Sequence, residues 1–256
     1  MYDQRGKPRR IVEGLMTAPS TPMQTVAANR GTHTIALVAL TFSTGLIDAL
    51  SFIALGHVFT ANMTGNIVFL AFAVGGAQGL SAARSAASLL SFMAGALCGG
   101  IISVRHSDWT QARLLKHASV IEAALLLVAT SFAVITGSKH EITPNAVYGL
   151  IVLTAVAMGF RNAVVRKLAV ADVTTTVLTL TVTGLASDSS LAGGTNPRWK
   201  RRLASIVTMF AGAATGAILL RYGVVAPLAA SSIIAVLASM AARRSERVSQ
   251  SSAPPG

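Results

Sequence analysis

Gly45-Leu46-Ile47-Asp48-Ala49 returns 114 residues later as Gly159-Phe160-Arg161-Asn162-Ala163. Two more blocks come back in the same order. Thr64-Gly65-Asn66 reappears as Thr179-Leu180-Thr181 at an offset of 115, and Gly95-Ala96-Leu97-Cys98-Gly99 as Gly212-Ala213-Ala214-Thr215-Gly216 at 117. Matches that keep order and spacing, with small insertions between them, are what an old duplication leaves. In an apolar chain, a doubled half predicts a membrane transporter or channel scaffold.

The chain is apolar enough. Of its 256 residues 52% are hydrophobic and only 12% charged, where a soluble domain carries about a quarter charged. Its mean hydropathy is +0.62. Spanning hydrocarbon takes roughly 20 apolar residues. Eight runs approach that length: A 34–54, B 58–78, C 86–104 and D 117–137, then A′ 147–165, B′ 172–187, C′ 203–220 and D′ 224–242. The predicted fold class is an all-α polytopic membrane protein. It has a basic disordered tail at 1–33, membrane repeat one at 34–137, a linker at 138–146, repeat two at 147–242, and a second disordered tail at 243–256.

The formal charge of +12 does not point to nucleic acid, because the Lys and Arg residues lie in tails and loops between apolar runs rather than on one soluble face. They vote on topology instead. If B and B′ enter and leave on one side, 18 of the 21 basic residues share the cytoplasmic face, with only Arg84, Lys139 and Arg221 outside. Eight full crossings would leave 14 inside and 7 outside, the outside set including Arg105, Arg113, Lys116, Arg161, Arg166 and Lys167. Six spans plus two re-entrant segments is the favoured arrangement, with both termini cytoplasmic. Three spans per half makes the repeats inverted. The length of B, long enough to cross alone, is what keeps eight spans in play.

Segment B opens Phe59-Thr60-Ala61-Asn62-Met63-Thr64-Gly65-Asn66, four small polar side chains alternating with less polar ones. A helix starting there inside the membrane would aim unpaired amides at a solute, favouring an anion or a polar group with acceptor atoms. B′ opens in the same style with Asp172 to Thr176. The competing reading is a set of interfacial helix caps. Asp48 is a carboxylate deep in segment A, costly by about 3 kcal/mol on insertion scales, so it should face a cavity or a partner. It could couple transport to protons, or simply hold the polar start of B. Its counterpart Asn162 keeps hydrogen bonding without charge. Glu122, near an end of D, reads as an interfacial anchor. Arg161 reads as snorkelling to the surface with Arg166 and Lys167, with pairing to Asp48 the second option.

Ser91, Gly95 and Gly99 in C, and Thr208, Gly212 and Gly216 in C′, put small residues on one helix face, which predicts close helix packing, C against C′. The lone Cys98 rules out an intrachain disulfide. The five histidines share no ligand spacing, and no nucleophile elbow, phosphate loop or paired-carboxylate motif is present, so neither metal, cofactor nor enzymatic chemistry is expected.

Gly45–Asp48, followed by Gly56-His57-Val58-Phe59-Thr60-Ala61-Asn62-Met63-Thr64-Gly65-Asn66, resembles the YoaK family of bacterial membrane proteins, also called DUF1275. So does Met158 to Ala163 leading to Thr174-Thr175. The resemblance covers roughly 34–243 and implies a multi-pass protein of the bacterial inner membrane. Where the family's second block reads Thr-Gly-Thr, Leu180 replaces the glycine. The leading functional expectation is a small-solute transporter or channel whose site is lined by Asp48, Asn62, Thr64, Asn66, Asn162, Thr174 and Thr175. The rival is a non-transporting assembly or sensory protein whose tails do the work. Expected partners are the lipid bilayer and a small solute or ion, with self-association left open.

Overall fold

The computed structural model describes residues 21–136, 143–168 and 178–251, and the side chains of 35–136, 143–168 and 178–244. Among them are eight α-helices and no strand: α1 (Thr21–Ala54), α2 (Met63–Val74), α3 (Ala82–Arg105), α4 (Gln111–Thr136), α5 (Pro144–Lys167), α6 (Leu178–Ser187), α7 (Trp199–Leu219) and α8 (Val225–Ser251). Six are long and apolar enough to cross a membrane: α1 over Ile35–Ala54, α3, α4, α5, α7 with the turn that follows it, and α8 over Val225–Arg244. The 12 residues of α2 and the 10 of α6 rise only about 18 and 15 Å, well short of a hydrocarbon core of roughly 30 Å. The chain is an all-helical, multi-pass membrane protein.

Local chemistry sets several helix ends. Ser81 accepts the Arg84 N–H at 3.3 Å to cap α3, and Thr143 accepts the Ala146 N–H at 3.4 Å to cap α5, with Pro144 in the first turn. The tails differ from the sequence expectation. α1 reaches back to Thr21 and α8 on to Ser251, so parts of 1–33 and 243–256 are helical. No proline falls between Pro22 and the apolar part of α1, or between that of α8 and Pro254. A helix nucleated in either span can therefore propagate outward without a break.

Contact registers fix the helix directions. Leu37 and Leu40, early in α1, cluster with Phe160 and Val164, late in α5, whereas Ile47 and Leu50 cluster with Leu150 and Ile151. α1 and α5 therefore run antiparallel. α3 runs parallel to α5, because Gly95 lies on Val156 and Gly99 on Phe160. α1 runs parallel to α7, because Gly212 lies on Phe42 and Gly216 on Leu46. It follows that α1 and α3 are antiparallel to each other, and the chain between them leaves and re-enters the bundle at one end. α2 is re-entrant, and the same reasoning applied to α5 and α7 makes α6 re-entrant.

The small-residue faces pack crosswise. A Cβ at Gly95 or Gly99 of α3 would strike the backbone of α5 at Val156 or Phe160, and one at Gly159 would strike Phe92 in return. A Cβ at Gly212 or Gly216 of α7 would strike α1 at Phe42 or Leu46, and one at Gly45 would strike Met209. These are the same contacts twice, shifted by the offsets of the sequence repeat. The expected pairing of C with C′ is thus corrected: α3 seats on α5 and α7 on α1. Side-chain periodicity identifies a face that packs closely, but the partner depends on where the other helices stand.

Gly95→Leu or Gly212→Leu places a side chain where a neighbouring carbonyl now sits. Both should lose most folded yield and thermal stability in detergent, and the helix-surface change Leu97→Ala should not. Single cysteines at Gln111 and Ser189, in a background lacking Cys98, should label from one side of the membrane and a cysteine at Gln78 from the other. Labelling of Gln111 and Ser189 from opposite sides would instead match eight crossings.

Candidate functional site

Beyond Ala54 the chain reverses through Gly56 (φ +91°) and His57 (φ +59°), a left-handed pair in which the glycine carries the more demanding angle. It then runs back beside α1 to the start of α2. Asp48 lies six residues before Ala54, about 9 Å along the helix. The returning chain meets it there: the Ala61 N–H donates to Asp48 Oδ1 at 3.1 Å.

Asn66 secures the same loop from the other side. Its Oδ1 accepts the Phe59 N–H at 2.9 Å, while its Nδ2 donates to the Phe59 carbonyl at 2.5 Å and to Ser88 Oγ on α3 at 3.1 Å. Ser88 Oγ donates to that carbonyl too, at 2.6 Å. Phe59 clusters with Phe52 and Phe69, centroids 5.2 and 5.6 Å away, and those two rings are 6.0 Å from each other. Its ring also lies on Gly65, where a Cβ would come within 2.7 Å of it. Gly65 thus makes room for an aromatic ring rather than for a solute.

The pinned loop leaves a cavity of about 680 Å³ between the first turns of α2 and α6. Its polar wall is Thr44, Asp48, Asn62, Thr64, Thr179 and Thr183; Val68, Phe69, Phe92, Val182 and Met209 supply apolar surface. Three of the expected site residues meet here: Asp48, Asn62 and Thr64. Asn62 stands at the N-cap of α2 but makes no side-chain capping bond, so its amide is left to the cavity. Asn66 is not a lining residue; it is fully buried and spent on the loop. Asn162 is half-buried and lies off the cavity wall. Thr174 and Thr175 fall outside the described residues.

Sequence reasoning missed Thr44, Thr179, Thr183, Phe92 and Met209. Some signal was there: Thr44 is one helical turn before Asp48, Thr179 is the repeat counterpart of Thr64, and Phe92 and Met209 are counterparts of each other. Among the described residues, no cluster of His, Cys, Asp or Glu could hold a metal ion.

Behind Thr44 lies a buried ion pair that overturns two expectations. Arg161 does not snorkel: it is 2% exposed, and its Nη1 meets Glu122 Oε1 at 2.8 Å. Nη1 also donates to the Leu40 carbonyl at 3.2 Å, and Nη2 to Thr44 Oγ1 at 2.6 Å. Glu122 is not an interfacial anchor; it is fully buried between α4 and α5. Arg161 and Glu122 are 39 residues apart, and only the antiparallel α4–α5 packing brings them together. The guanidinium cannot reach water without abandoning an ion partner in a low-dielectric interior.

The second half of the chain fastens α6 to α7 differently. Arg202 Nη1 donates to the Gly184 carbonyl and pairs with Asp188 Oδ2 at 2.7 Å. Its hydrogen bond holds the Asp188 carboxyl below the usual carboxylate range.

Asn66→Ala strands the Phe59 N–H and weakens the hold on its carbonyl, each buried unsatisfied group costing about 1–3 kcal/mol. The variant should show a clear drop in thermal midpoint in detergent. Asn62→Ala, which removes no internal bond, should leave the midpoint within about 0.5 kcal/mol of the parent.

Comparison with known proteins agrees with this architecture. The family model described as "Protein of unknown function (DUF1275)" matches residues 36–241, all six apolar helices. The UPF0700 transmembrane protein YoaK of Bacillus subtilis (strain 168) is 33% identical over 166 residues, covering 65% of this chain and 70% of that protein. No solved structure matches. With the matched region running from the start of α1's apolar stretch to the last turns of α8's, the chain is an integral membrane protein belonging to the DUF1275 (YoaK) family.

Proposed function

We propose that this protein is a small-solute transporter or channel of the bacterial cytoplasmic membrane, built from two inverted repeats with both termini in the cytoplasm. The observation that carries the reading is the cavity between the amino ends of two re-entrant helices, with a carboxylate in its wall. A merely structural bundle has no need of such a space, since apolar side chains would fill it at lower cost. The crosswise glycine contacts and the opposed directions of α1 and α5 support the inverted-repeat part. The distribution of basic residues supports the orientation.

The wall chemistry narrows the solute. The Asp48 carboxylate stands beside the start of α2, holding the Ala61 amide just before it. An anionic solute would meet that carboxylate at close range. Hydroxyl and amide groups from Thr64, Thr179, Thr183 and Asn62, beside Phe69, Phe92 and Met209, suit a small solute with hydrogen-bonding groups and an apolar part.

Flux of a panel of small polar solutes into proteoliposomes tests this. Asn62→Ala and Thr64→Val should abolish flux of the transported solute at normal protein level and normal stability, because neither side chain supports the fold. Wild-type flux in both variants would remove the start of α2 from the site. Absence of flux for every solute, with folded protein in the vesicles, would favour a non-transporting role.

A further inference from the structure

The described interior of the bundle holds two carboxylates, Asp48 and Glu122; of its two buried cations, Arg202 at the start of α7 pairs with Asp188, and Arg161 is taken as well. Arg161 forms its ion pair with Glu122 at 2.8 Å and spends Nη2 on Thr44. Thr44 is part of the cavity wall, one turn before Asp48, so the guanidinium stands directly behind the site and its charge reaches Asp48 without pairing to it. We propose that Glu122 is a positioning residue that keeps Arg161 from neutralising Asp48, leaving Asp48 to take up and release a proton at the cavity wall. This rests on the transporter reading for its purpose, since the exchanged proton is then the coupling ion. The protonation itself stands on the geometry alone.

The surrounding elements offer Asp48 no other charge. α2 and α6 contain no titratable residue, and the interiors of α7 and α8 contain none among the described residues. Their basic groups are Lys200, Arg201 and Arg202 in the first turn of α7 and Arg243 and Arg244 where the apolar stretch of α8 finishes. On α3, Arg84 lies over Gly56 at the outer end of the loop, and Arg105 is at the far end of the helix. α5 offers Arg161, with Tyr148 in its first turns and Arg166 and Lys167 in its last; α4 offers Glu122, with Arg113, Lys116 and His117 in its first two turns. A carboxylate among these neighbours, held by one backbone amide and bordering a cavity, is balanced by whatever small cation enters. A proton can add to the carboxylate at the cavity wall and leave by the same route, with no bond broken elsewhere.

The test is an infrared pH titration of the full-length protein in nanodiscs, following the carbonyl stretch of protonated carboxylic acids. The chain's other Asp and Glu residues also titrate in acid, so the signal is read as wild type minus Asp48→Asn, a difference that should contain one titrating acid band. Glu122→Gln releases Arg161, which should keep Asp48 ionised further into acid, moving the band's midpoint down by about one pH unit or more, at least tenfold in proton affinity. Glu122→Gln with Arg161→Gln should return the midpoint towards wild type. An unchanged midpoint in Glu122→Gln, or no titrating band in the difference between wild type and Asp48→Asn, overturns the proposal. Should Glu122→Gln not fold, Arg161→Gln serves: it leaves two unpaired carboxylates and should add a second acid band that Arg161→Gln with Glu122→Gln lacks. No second band overturns it equally. Replacing potassium by sodium should leave the titration in place, and a band lost to sodium would make Asp48 a metal-cation site instead. The spectra do not depend on flux, so a protein that titrates as stated but carries no solute would overturn the transporter reading and not this one.

Discussion

Everything at the centre of this molecule depends on satisfying a stretch of irregular backbone inside a helical bundle. Residues 59–62 have no helix of their own, and in hydrocarbon each unpaired N–H or C=O would cost several kcal/mol. Asp48 takes the Ala61 amide from one side of the loop, and Asn66 with Ser88 takes the Phe59 peptide from the other. Both side chains are therefore structural before they are anything else. Their consequence is spatial: with the loop fixed, α2 must begin at the level of Asp48, and its first turn is left facing open space.

A second constraint lets that arrangement close. Helices in lipid gain nothing from burying apolar side chains against each other, so close backbone approach has to supply the packing. The glycines at 95, 99, 159, 212, 216 and 45 each sit where a neighbouring carbonyl leaves no room for a Cβ. Because α3 seats on α5 and α7 on α1, each half of the chain completes the other rather than folding on itself. Both re-entrant helices are carried by these crossed pairs, α2 lying against α3 and α6 against α7. Their amino ends converge on one cavity.

Much of this was legible in the sequence, and what was not has a physical reason. The placement of Lys and Arg points to six spans and two re-entrant segments, where run length alone would let B cross, because the bilayer imposes a charge rule that needs no tertiary knowledge. Asp48, Asn62 and Thr64 stand out as polar groups in apolar runs, and they do share one wall. Asn66 looks identical to them along the chain, yet it faces α3, since two residues past Thr64 is about 200° further round the helix. Periodicity marked the glycine faces but named the wrong partner. Arg161 and Glu122 were each read against the nearest end of their own helix. What decides their state is the other one, brought across from a different helix.

That pair is the part of the structure that packing energetics explains least. Replacing a buried ion pair by apolar residues of similar volume is often neutral or stabilising by about 1–4 kcal/mol, so holding α4 on α5 does not require it. Glu122 Oε2 even goes without a hydrogen-bond partner among the described residues, which good structural design would avoid. Removing only one member, by contrast, leaves a charge stranded at a cost of about 3–5 kcal/mol. An arrangement that is dispensable as a pair and indispensable member by member is a poor staple and a good electrostatic device. Its field falls on the one carboxylate that borders the cavity, through Thr44, which binds Arg161 on one side and faces the open space on the other. The charge of Asp48 is then set from three helices at once: α1 carries it, α5 brings the cation near, and α4 holds that cation back.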